Sequence, residues 1–187
     1  MVALVDLPAF GLDGVVQVVV ESPRGAGIKL KYEPSLGAFS VARALPLGLT
    51  YPFDWGFVPS TLGADQDPID ALVVHDVGTY PGVVLPCRIL GVVALSQRGG
   101  HGKRQRNDRI IAMPVWHDRL GEFERATDLP ARLRKEIEQF FLDTTFLTGK
   151  KPKIIGWKSP QKARLLVREG ERRYLKQRQQ LAPNTAG

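Results

Sequence analysis

The sequence is poor in the residues that build disulfide frameworks and soft-metal clusters. Its 187 residues include one cysteine, Cys87, and three histidines. A single cysteine excludes an internal disulfide and favours a reducing compartment such as the cytoplasm. The chain also lacks an apolar run long enough to span a bilayer, and its first residues lack the basic and apolar segments of a secretory signal. We therefore expect a cytoplasmic protein that does not enter a membrane.

Positive charge is concentrated towards the C-terminal end. The whole chain has a formal net charge of +7. The segment from Lys150 to Arg178 contains 11 Lys and Arg against 2 Asp and Glu, or +9, which leaves −2 for the remainder. Basic segments bind nucleic acid or membranes in some proteins, but a solvated helix face is the commoner outcome. We favour the helix face, so nucleic acid and membranes are not expected as partners.

Apolar runs rich in β-branched residues are separated by Gly and Pro through the first two thirds of the chain. One of them, residues 28–33, alternates apolar and charged side chains, as a strand with one wet face does. Short strands punctuated in this way are typical of a small curved sheet or barrel. The predicted strands cover residues 15–20, 28–33, 38–42, 72–74, 83–95 and 109–115.

Helical spacing begins only in the last third of the chain. A first helix, with Asp128 as its candidate N-cap, is indicated by the periodic residues Leu133, Ile137, Phe140 and Phe141. A second helix opens at Ser159-Pro160 and gives a basic helical segment over residues 159–180, after which the chain is expected to fray. The 43% hydrophobic content and the absence of repeats or linkers predict a single domain over residues 1–187.

The most informative motif lies at residues 65–70, which read Asp-Gln-Asp-Pro-Ile-Asp and lead into an apolar run. Asp65, Asp67 and Asp70 place three carboxylates within short reach, and such anions repel one another unless a cation lies between them. With no Cys or His alongside, the ligands are all oxygen, which suits Mg²⁺ or Mn²⁺. The alternative is an acidic turn, because Asp and Pro are common turn formers.

Several segments around this motif follow one another in a characteristic order. Glu21-Ser22-Pro23 ends the first predicted strand, Lys31-Tyr32-Glu33 lies on the second, and residues 51–62, YPFDWGFVPSTL, precede the motif. In this order they resemble the soluble inorganic pyrophosphatases of family I, over about residues 15–160. The resemblance implies an α+β fold, mainly β, with a small five-stranded OB-like barrel and helices packed outside. It also implies a homo-oligomer, either a hexamer or a dimer.

The resemblance further implies Mg²⁺-dependent hydrolysis of inorganic pyrophosphate to two phosphates by a metal-activated water. Paired metals acidify the water and neutralise both ends of the displacement. The residue that takes a proton from the attacking water corresponds to Asp67. The implied metal ligands are Asp65, Asp67, Asp70, Glu33 and Glu21. The implied substrate-binding residues are Lys31, Arg43, Tyr51, Trp55 and Arg109.

The second half of the chain departs from the family pattern. Two metal-binding acids of the family correspond to Gln97 and Asn107, and a lysine corresponds to Arg109. Asp108 is adjacent, but strand alternation would point it to the opposite face. The other replacements are Trp55 for a tyrosine and Thr144-Thr145 for a Tyr-Lys pair. These changes predict that the inner metal ligands are retained and that the outer ones are lost.

Two alternatives remain open at this point. Fewer carboxylates and more Arg and Lys favour direct cationic binding of phosphate, which would suit a larger phosphoanhydride such as a nucleotide, with Trp55 stacked on the base. The chain could also be a catalytically impaired relative that binds phosphate or nucleic acid through the basic loop 98–109 and the basic tail. The triple-Asp motif favours an active pyrophosphatase over both.

Overall fold

The computed structural model describes residues 2–99, 102–116 and 123–181. His101 of the basic loop and residues 182–187, where fraying is expected, lie outside these ranges. The described strands are β1 (Val16–Ser22), β2 (Ile28–Glu33), β3 (Ala38–Ala44), β4 (Asp54–Val58), β5 (Ile69–Val73), β6 (Val84–Arg98), β7 (Arg104–Arg106), β8 (Arg109–Pro114) and β9 (Lys153–Lys158). The α-helices are α1 (Ala131–Asp143) and α2 (Pro160–Leu181). Neither of these two helices is long and apolar enough to cross a membrane.

Five strands close into a barrel, as the family resemblance implies. They follow the order β1-β4-β5-β8-β6, and the pairing of β1 with β6 closes the ring. Neighbouring strands are antiparallel except β5 and β8, which run parallel. Outside the ring, β7 and β9 both pair with the long strand β6, while β2 and β3 form a separate hairpin. Because the ring is closed, each of its five strands is hydrogen-bonded to a neighbour on both sides. The barrel therefore provides a rigid support for the segments around it.

Alternation along the barrel strands divides the apolar side chains into two cores. Every second residue contributes to one cluster that draws on all five ring strands, with Ala71 of β5 and Ile110 of β8 fully buried in it. Ala163 and Val167 of α2 pack into the same cluster. The apolar face of α2 is therefore fixed to the barrel, while its basic residues lie on the exposed side, as expected for a solvated helix face.

The intervening strand residues form the second core under α1. Leu72 of β5 and Ile111 of β8 are fully buried and pack in one cluster with Ile137, Phe140 and Phe141 of α1. This confirms the helical face predicted from the sequence. Burying an aliphatic or aromatic side chain of this size stabilises the fold by about 1.5–3 kcal/mol, so these residues are what hold α1 against the barrel.

The start of α1 differs from the sequence prediction, which has Asp128 as the N-cap. The N-cap position is held by Pro130, which makes no side-chain capping hydrogen bond. The Asp128 carboxylate instead accepts a hydrogen bond of 2.8 Å from the N–H of Arg125, at the end of a short 3₁₀ turn. Proline fixes its φ angle and lacks an N–H, so it suits the boundary between the turn and the helix.

The start of α2 agrees with the prediction, and this helix holds the loop that precedes β5. The Ser159 hydroxyl accepts a hydrogen bond of 3.3 Å from the N–H of Lys162. Further along, the carbonyl of Gly170 accepts a hydrogen bond of 3.0 Å from the N–H of Leu62. A Cβ at Gly170 would lie 2.5 Å from the Ile69 side chain. Glycine therefore allows α2 to approach the loop closely enough to fix it.

The β2–β3 hairpin is attached to the barrel by a small third cluster. The ring of Tyr32 on β2 packs with Val19 and Phe57 of the barrel. The Glu21 carboxylate, at the end of β1, accepts a hydrogen bond of 2.9 Å from the Tyr32 N–H. These contacts hold β2 beside the end of β1, which places the charged side chains of β2 next to those of the barrel.

Candidate active site

A cavity of about 300 Å³ lies between the hairpin, the loop before β5 and the start of β8. Both carboxylates and cations line it, and we call it the acidic cavity. Its charged residues are Glu21, Glu33, Asp65, Asp67, Asp70, Lys29, Lys31, Arg109 and Lys150. Seven of the ten site residues predicted from the sequence therefore meet here. The other three, Arg43, Tyr51 and Trp55, line a smaller adjoining cavity.

The hairpin supplies one wall of the acidic cavity. Side chains alternate along β2, so Lys29, Lys31 and Glu33 share one face, which is the face that lines the cavity. The Glu33 carboxylate accepts a hydrogen bond of 3.3 Å from the Ser40 hydroxyl of β3. Two lysines and one glutamate thus extend into the cavity from a single strand, at successive two-residue steps.

The loop before β5 supplies the opposite wall. The Thr61 hydroxyl accepts a hydrogen bond of 3.0 Å from the N–H of Ile69, which ties the start of the loop to the start of β5. Within the loop, the N–H of Gly63 donates to the carbonyl of Asp67 at 2.7 Å. The compact turn that results presents both Asp65 and Asp67 to the hairpin.

One ion pair bridges these two walls. The Nζ of Lys31 lies 2.9 Å from a carboxylate oxygen of Asp67, and the two side chains are 43% and 58% exposed. The hydrogen bond to Asp67 raises the pKa of Lys31. Because water screens a pair this exposed, it contributes at most about 1 kcal/mol. Either side chain can therefore exchange this partner for another at little energetic cost.

A second ion pair, at the floor of the acidic cavity, is much less exposed. The parallel register of β5 and β8 brings Asp70 beside Arg109. A terminal nitrogen of the Arg109 guanidinium, Nη1, donates hydrogen bonds to the carboxylate of Asp70 and to the amide oxygen of Asn107. The Cζ atom of Arg109 also lies 5.1 Å from the ring centroid of Trp55. Since the side chains of Arg109 and Asp70 are only 10% and 18% exposed, this guanidinium is firmly held.

The adjoining cavity, of about 60 Å³, is continuous in its lining with the acidic cavity. Lys29, Arg109 and Lys150 line both. Burial raises the pKa of Tyr51 to about 12, so its hydroxyl remains protonated at neutral pH. The lining of the adjoining cavity also includes the residues that depart from the family pattern, Trp55, Gln97, Thr144 and Thr145.

The structure does not place Trp55 where it could stack on a nucleotide base. The side chain is only 5% exposed. Its ring packs against Tyr51 and Phe141, with centroid distances of 6.0 Å in each case, and the guanidinium of Arg109 lies over it. The part of the nucleotide interpretation that rests on Trp55 is therefore wrong, because aromatic packing already covers the ring.

Two cations of the site, Lys29 and Lys150, are absent from the sequence-based prediction. Partial burial, together with the positive charges of Lys29 and Arg109, lowers the pKa of Lys150. Lys150 thus lies within electrostatic range of two further cations, Lys29 and Arg109, and such a group of cations suits the binding of an anion. Lys150 therefore offers a replacement for the anion-binding group lost at Thr144-Thr145. Lys29 was detectable from its two-residue spacing to Lys31, but no sequence signal pointed to Lys150.

Burial and the neighbouring negative charges disfavour the ionised form of two carboxylates of the acidic cavity, Glu21 and Asp65. Burial, with a further contribution from the charge of Asp70, raises the pKa of Glu21 from 4.5 to about 7. The same two causes raise the pKa of Asp65, to which the charge of Asp67 also contributes. A cation bound among these groups would relieve this repulsion.

The oxygen ligands of the acidic cavity fit a divalent metal ion in their chemistry. Within residues 2–99, 102–116 and 123–181, however, no group of three or more His, Cys, Asp and Glu side chains is arranged to hold one. Asp67 and Asp70 are instead paired with Lys31 and Arg109. The assignment of the five metal ligands therefore remains a prediction.

Asp108, the acid next to Asn107, points away from the acidic cavity, as strand alternation predicts. Its carboxylate pairs with Arg106 at 2.8 Å and accepts a hydrogen bond of 3.1 Å from the N–H of Leu95. Asp108 lines a different cavity, next to α2. It therefore does not replace the missing acid at position 107.

We expect Glu21→Gln to stabilise the metal-free protein in a pH-dependent way. Because the folded-state pKa is raised, the glutamate costs nothing below about pH 4.5, an increasing amount between pH 4.5 and about 7, and its full penalty above that. That penalty is on the order of 3 kcal/mol. Urea unfolding in the presence of a chelator should therefore show a clear gain in the free energy of unfolding at pH 8 and little gain at pH 4.5.

The matched control for this measurement is Glu124→Gln, at an exposed position outside the acidic cavity. It should leave the free energy of unfolding unchanged at both pH values. An equal gain from Glu21→Gln at pH 4.5 and pH 8 would show that the cost of Glu21 does not come from its ionisation.

A cavity that combines oxygen ligands for a metal with cations for phosphate is typical of a metal-dependent phosphohydrolase. A profile of the family described as inorganic pyrophosphatase matches residues 18–175. The inorganic pyrophosphatase of Thermus thermophilus is 37% identical over 164 residues, which cover 86% of this chain and 90% of the relative. That of Synechocystis is 31% identical over 168 residues, which cover 90% and 96%.

Solved structures give the same result. The crystal structure of the inorganic pyrophosphatase from Thermus thermophilus matches with a TM-score of 0.84 at 35% identity, over 93% of this chain and 99% of that one. The inorganic pyrophosphatase from Coxiella burnetii matches with a TM-score of 0.81 at 29% identity, over 90% and 99%. The chain belongs to the inorganic pyrophosphatase family, which confirms the resemblance found in the sequence.

Proposed function

We propose that the acidic cavity hydrolyses inorganic pyrophosphate to two phosphates, with Mg²⁺ as the metal. The observation that supports this most directly is that five carboxylates and four cations line one cavity in a chain of the inorganic pyrophosphatase family. Enzymes of this family are metal-dependent. The carboxylates suit a hard divalent ion, and the cations suit a compact polyanion.

We assign Lys31 to the incoming phosphate. Its present partner, Asp67, is held in an exposed ion pair that is worth little. A phosphate oxygen offers the ammonium group a charge-assisted hydrogen bond of at least comparable strength. Lys31 can therefore exchange Asp67 for the substrate at small cost, and the exchange releases the Asp67 carboxylate.

The released Asp67 carboxylate is then available to accept a proton from the attacking water. Asp65, Asp67, Glu21 and Glu33 are the residues that would hold the metal, because Asp70, the fifth ligand predicted from the sequence, is already paired with Arg109. When bound, the metal supplies Lewis acidity that lowers the pKa of the water and neutralises phosphate charge. Asp67 accepts the proton on a carboxylate oxygen, while the lysines of the cavity hold the phosphates in place.

Lys150→Met is expected to raise the KM for pyrophosphate by about 10- to 100-fold. A hydrogen bond to a charged group is worth about 1.5–3 kcal/mol, and each 1.4 kcal/mol corresponds to a factor of ten. Steady-state kinetics at saturating Mg²⁺ measure the effect. Lys153→Met is the matched control, because Lys153 is exposed on β9 and lines neither cavity. Equal KM values for the two variants would show that Lys150 does not bind the substrate.

A substrate panel tests the proposed function. Phosphate release is measured for pyrophosphate, tripolyphosphate and ATP at equal concentrations and equal free Mg²⁺. We expect kcat/KM to be highest for pyrophosphate by at least about tenfold, because the adjoining cavity is too small for a nucleoside and Trp55 is covered. ATP hydrolysis as fast as pyrophosphate hydrolysis would contradict the proposal and favour the alternative phosphoanhydride.

The proposal extends to the domain organisation, oligomeric state and location of the enzyme. We infer a single domain, a homo-oligomer of two or six chains, and a cytoplasmic location. The single cysteine, Cys87, is buried, which suits a reducing compartment. The family match does not favour the alternative of an impaired relative that binds phosphate or nucleic acid.

A further inference from the structure

We propose that Arg109 is a built-in cation that neutralises Asp70 and closes the floor of the acidic cavity to a divalent metal. The metal then binds on the side formed by Asp65, Asp67 and the hairpin, so this chain binds fewer metal ions than its carboxylates alone would suggest. This inference concerns the same site as the proposed function and rests on it.

The guanidinium of Arg109 contacts the same kinds of oxygen atom that a bound metal ion would contact. Its Nη1 atom donates to a carboxylate oxygen of Asp70 and to the amide oxygen of Asn107 at the same time. Two oxygens from different segments thus converge on one positive group at the cavity floor. Carboxylate and amide oxygens are also what a divalent ion would use, and the guanidinium already occupies the space between them.

The aromatic ring beneath the guanidinium supports the same role. Trp55 lies under Arg109 with its centroid 5.1 Å from Cζ. The face of a tryptophan ring attracts a cation electrostatically, and more strongly where water is excluded. Trp55 and Asn107, which depart from the family pattern, therefore both contact the guanidinium of Arg109, a third residue that departs from it. An amide at position 107 suits this arrangement, because it accepts a hydrogen bond without adding a second negative charge.

The two ion pairs of the cavity differ in how easily they break. The Lys31–Asp67 pair is about half exposed, whereas the side chains of Arg109 and Asp70 are 10% and 18% exposed. Removing one partner of a largely buried pair is strongly unfavourable, because it leaves an uncompensated buried charge. Substrate binding can therefore displace Lys31, while Arg109 stays with Asp70. We accordingly separate the role of Arg109 from that of a mobile phosphate ligand.

Metal stoichiometry tests this inference without any catalytic readout. Binding of Mn²⁺ to the 187-residue chain, in the absence of pyrophosphate, is measured by the electron paramagnetic resonance signal of free Mn²⁺. We expect Arg109→Met to bind one more Mn²⁺ per chain than the wild type, because Asp70 becomes available as a ligand. Mn²⁺ should also raise the Tm of this variant more than that of the wild type.

A second arginine provides the matched control. Arg106 pairs with Asp108 at 2.8 Å outside the acidic cavity, so Arg106→Met removes an Arg–Asp pair without freeing Asp70. Its Mn²⁺ stoichiometry should equal that of the wild type. If Arg109→Met fails to fold, Arg109→Gln removes the positive charge but keeps an amide group that can donate a hydrogen bond to Asp70, and it is likewise expected to bind one more Mn²⁺.

An unchanged Mn²⁺ stoichiometry in folded Arg109→Met, or in folded Arg109→Gln, would overturn the inference. The result is separable from the proposed function. A wild-type protein that fails to hydrolyse pyrophosphate would refute the function, while the difference in Mn²⁺ count would still decide the role of Arg109. If the wild type hydrolyses pyrophosphate but Arg109→Met binds no more Mn²⁺ than the wild type, only the proposed role of Arg109 is refuted.

Discussion

Asp67→Asn is expected to lower pyrophosphate hydrolysis by about 10²–10⁴-fold, the usual effect of removing a general base. The substitution keeps the shape of the side chain and replaces only the proton-accepting carboxylate. Asp67 is exposed, so the fold does not depend on its charge, and the pair that it forms with Lys31 is weak. We expect the kcat, measured at saturating Mg²⁺ and pyrophosphate, to fall by this factor. The Tm of the variant should equal that of the wild type.

The control for this variant is Asp13→Asn, at an exposed aspartate in a short turn before β1. Its positive φ of 61° is tolerated by asparagine. This variant should retain full activity. If Asp67→Asn retained most of the wild-type kcat, Asp67 would not be the base.

Gly56→Ala is expected to destabilise the protein by about 3 kcal/mol or more, because an added methyl group has no room between β1 and β4. A Cβ at Gly56 would overlap the carbonyl oxygen of Val19 and lie 2.7 Å from its carbonyl carbon and 2.9 Å from the Cα of Val20. These are backbone atoms of a paired strand, so they cannot rotate away. Urea unfolding followed by tryptophan fluorescence measures the loss.

Gly27→Ala is the comparison for Gly56→Ala. Gly27 has an ordinary φ, and a Cβ there would meet no atom within 4 Å. We expect its free energy of unfolding to change by less than about 1 kcal/mol. Similar stabilities for the two variants would show that β1 and β4 can separate enough to accept a side chain.

The barrel could be predicted because most of its strands have strong local patterns. The continuous β-branched run of β1 and the alternation of β2 gave bounds within two residues of those observed. Strand β4 was missed because it reads Asp-Trp-Gly-Phe-Val, is buried throughout and shows no alternation. Strands β7 and β9 were also missed, since β7 has three residues with two charged ends, and β9 follows a Lys-rich stretch. Their pairing with β6 is a tertiary effect.

The membership of the site could be predicted only where residues lie close together in sequence or match the family pattern. Asp65, Asp67 and Asp70 fall into the first group. Lys150 reaches the cavity from the segment before β9, and no local pattern marks it. The bond from Arg109 to Asp70 depends on the parallel register of β5 and β8, which is set by the closure of the barrel. Sequence alone therefore indicated which carboxylates line the cavity but not which cation each carboxylate contacts.

The most direct test is phosphate release from pyrophosphate at neutral pH across a Mg²⁺ titration, with a chelated control. We expect release to rise steeply with Mg²⁺ and to be negligible with the chelator, since the carboxylates of the acidic cavity need a metal to activate water. Circular dichroism of the same sample establishes that the protein is folded. No release at any Mg²⁺ concentration from folded protein would contradict the assignment of the acidic cavity as a pyrophosphatase active site.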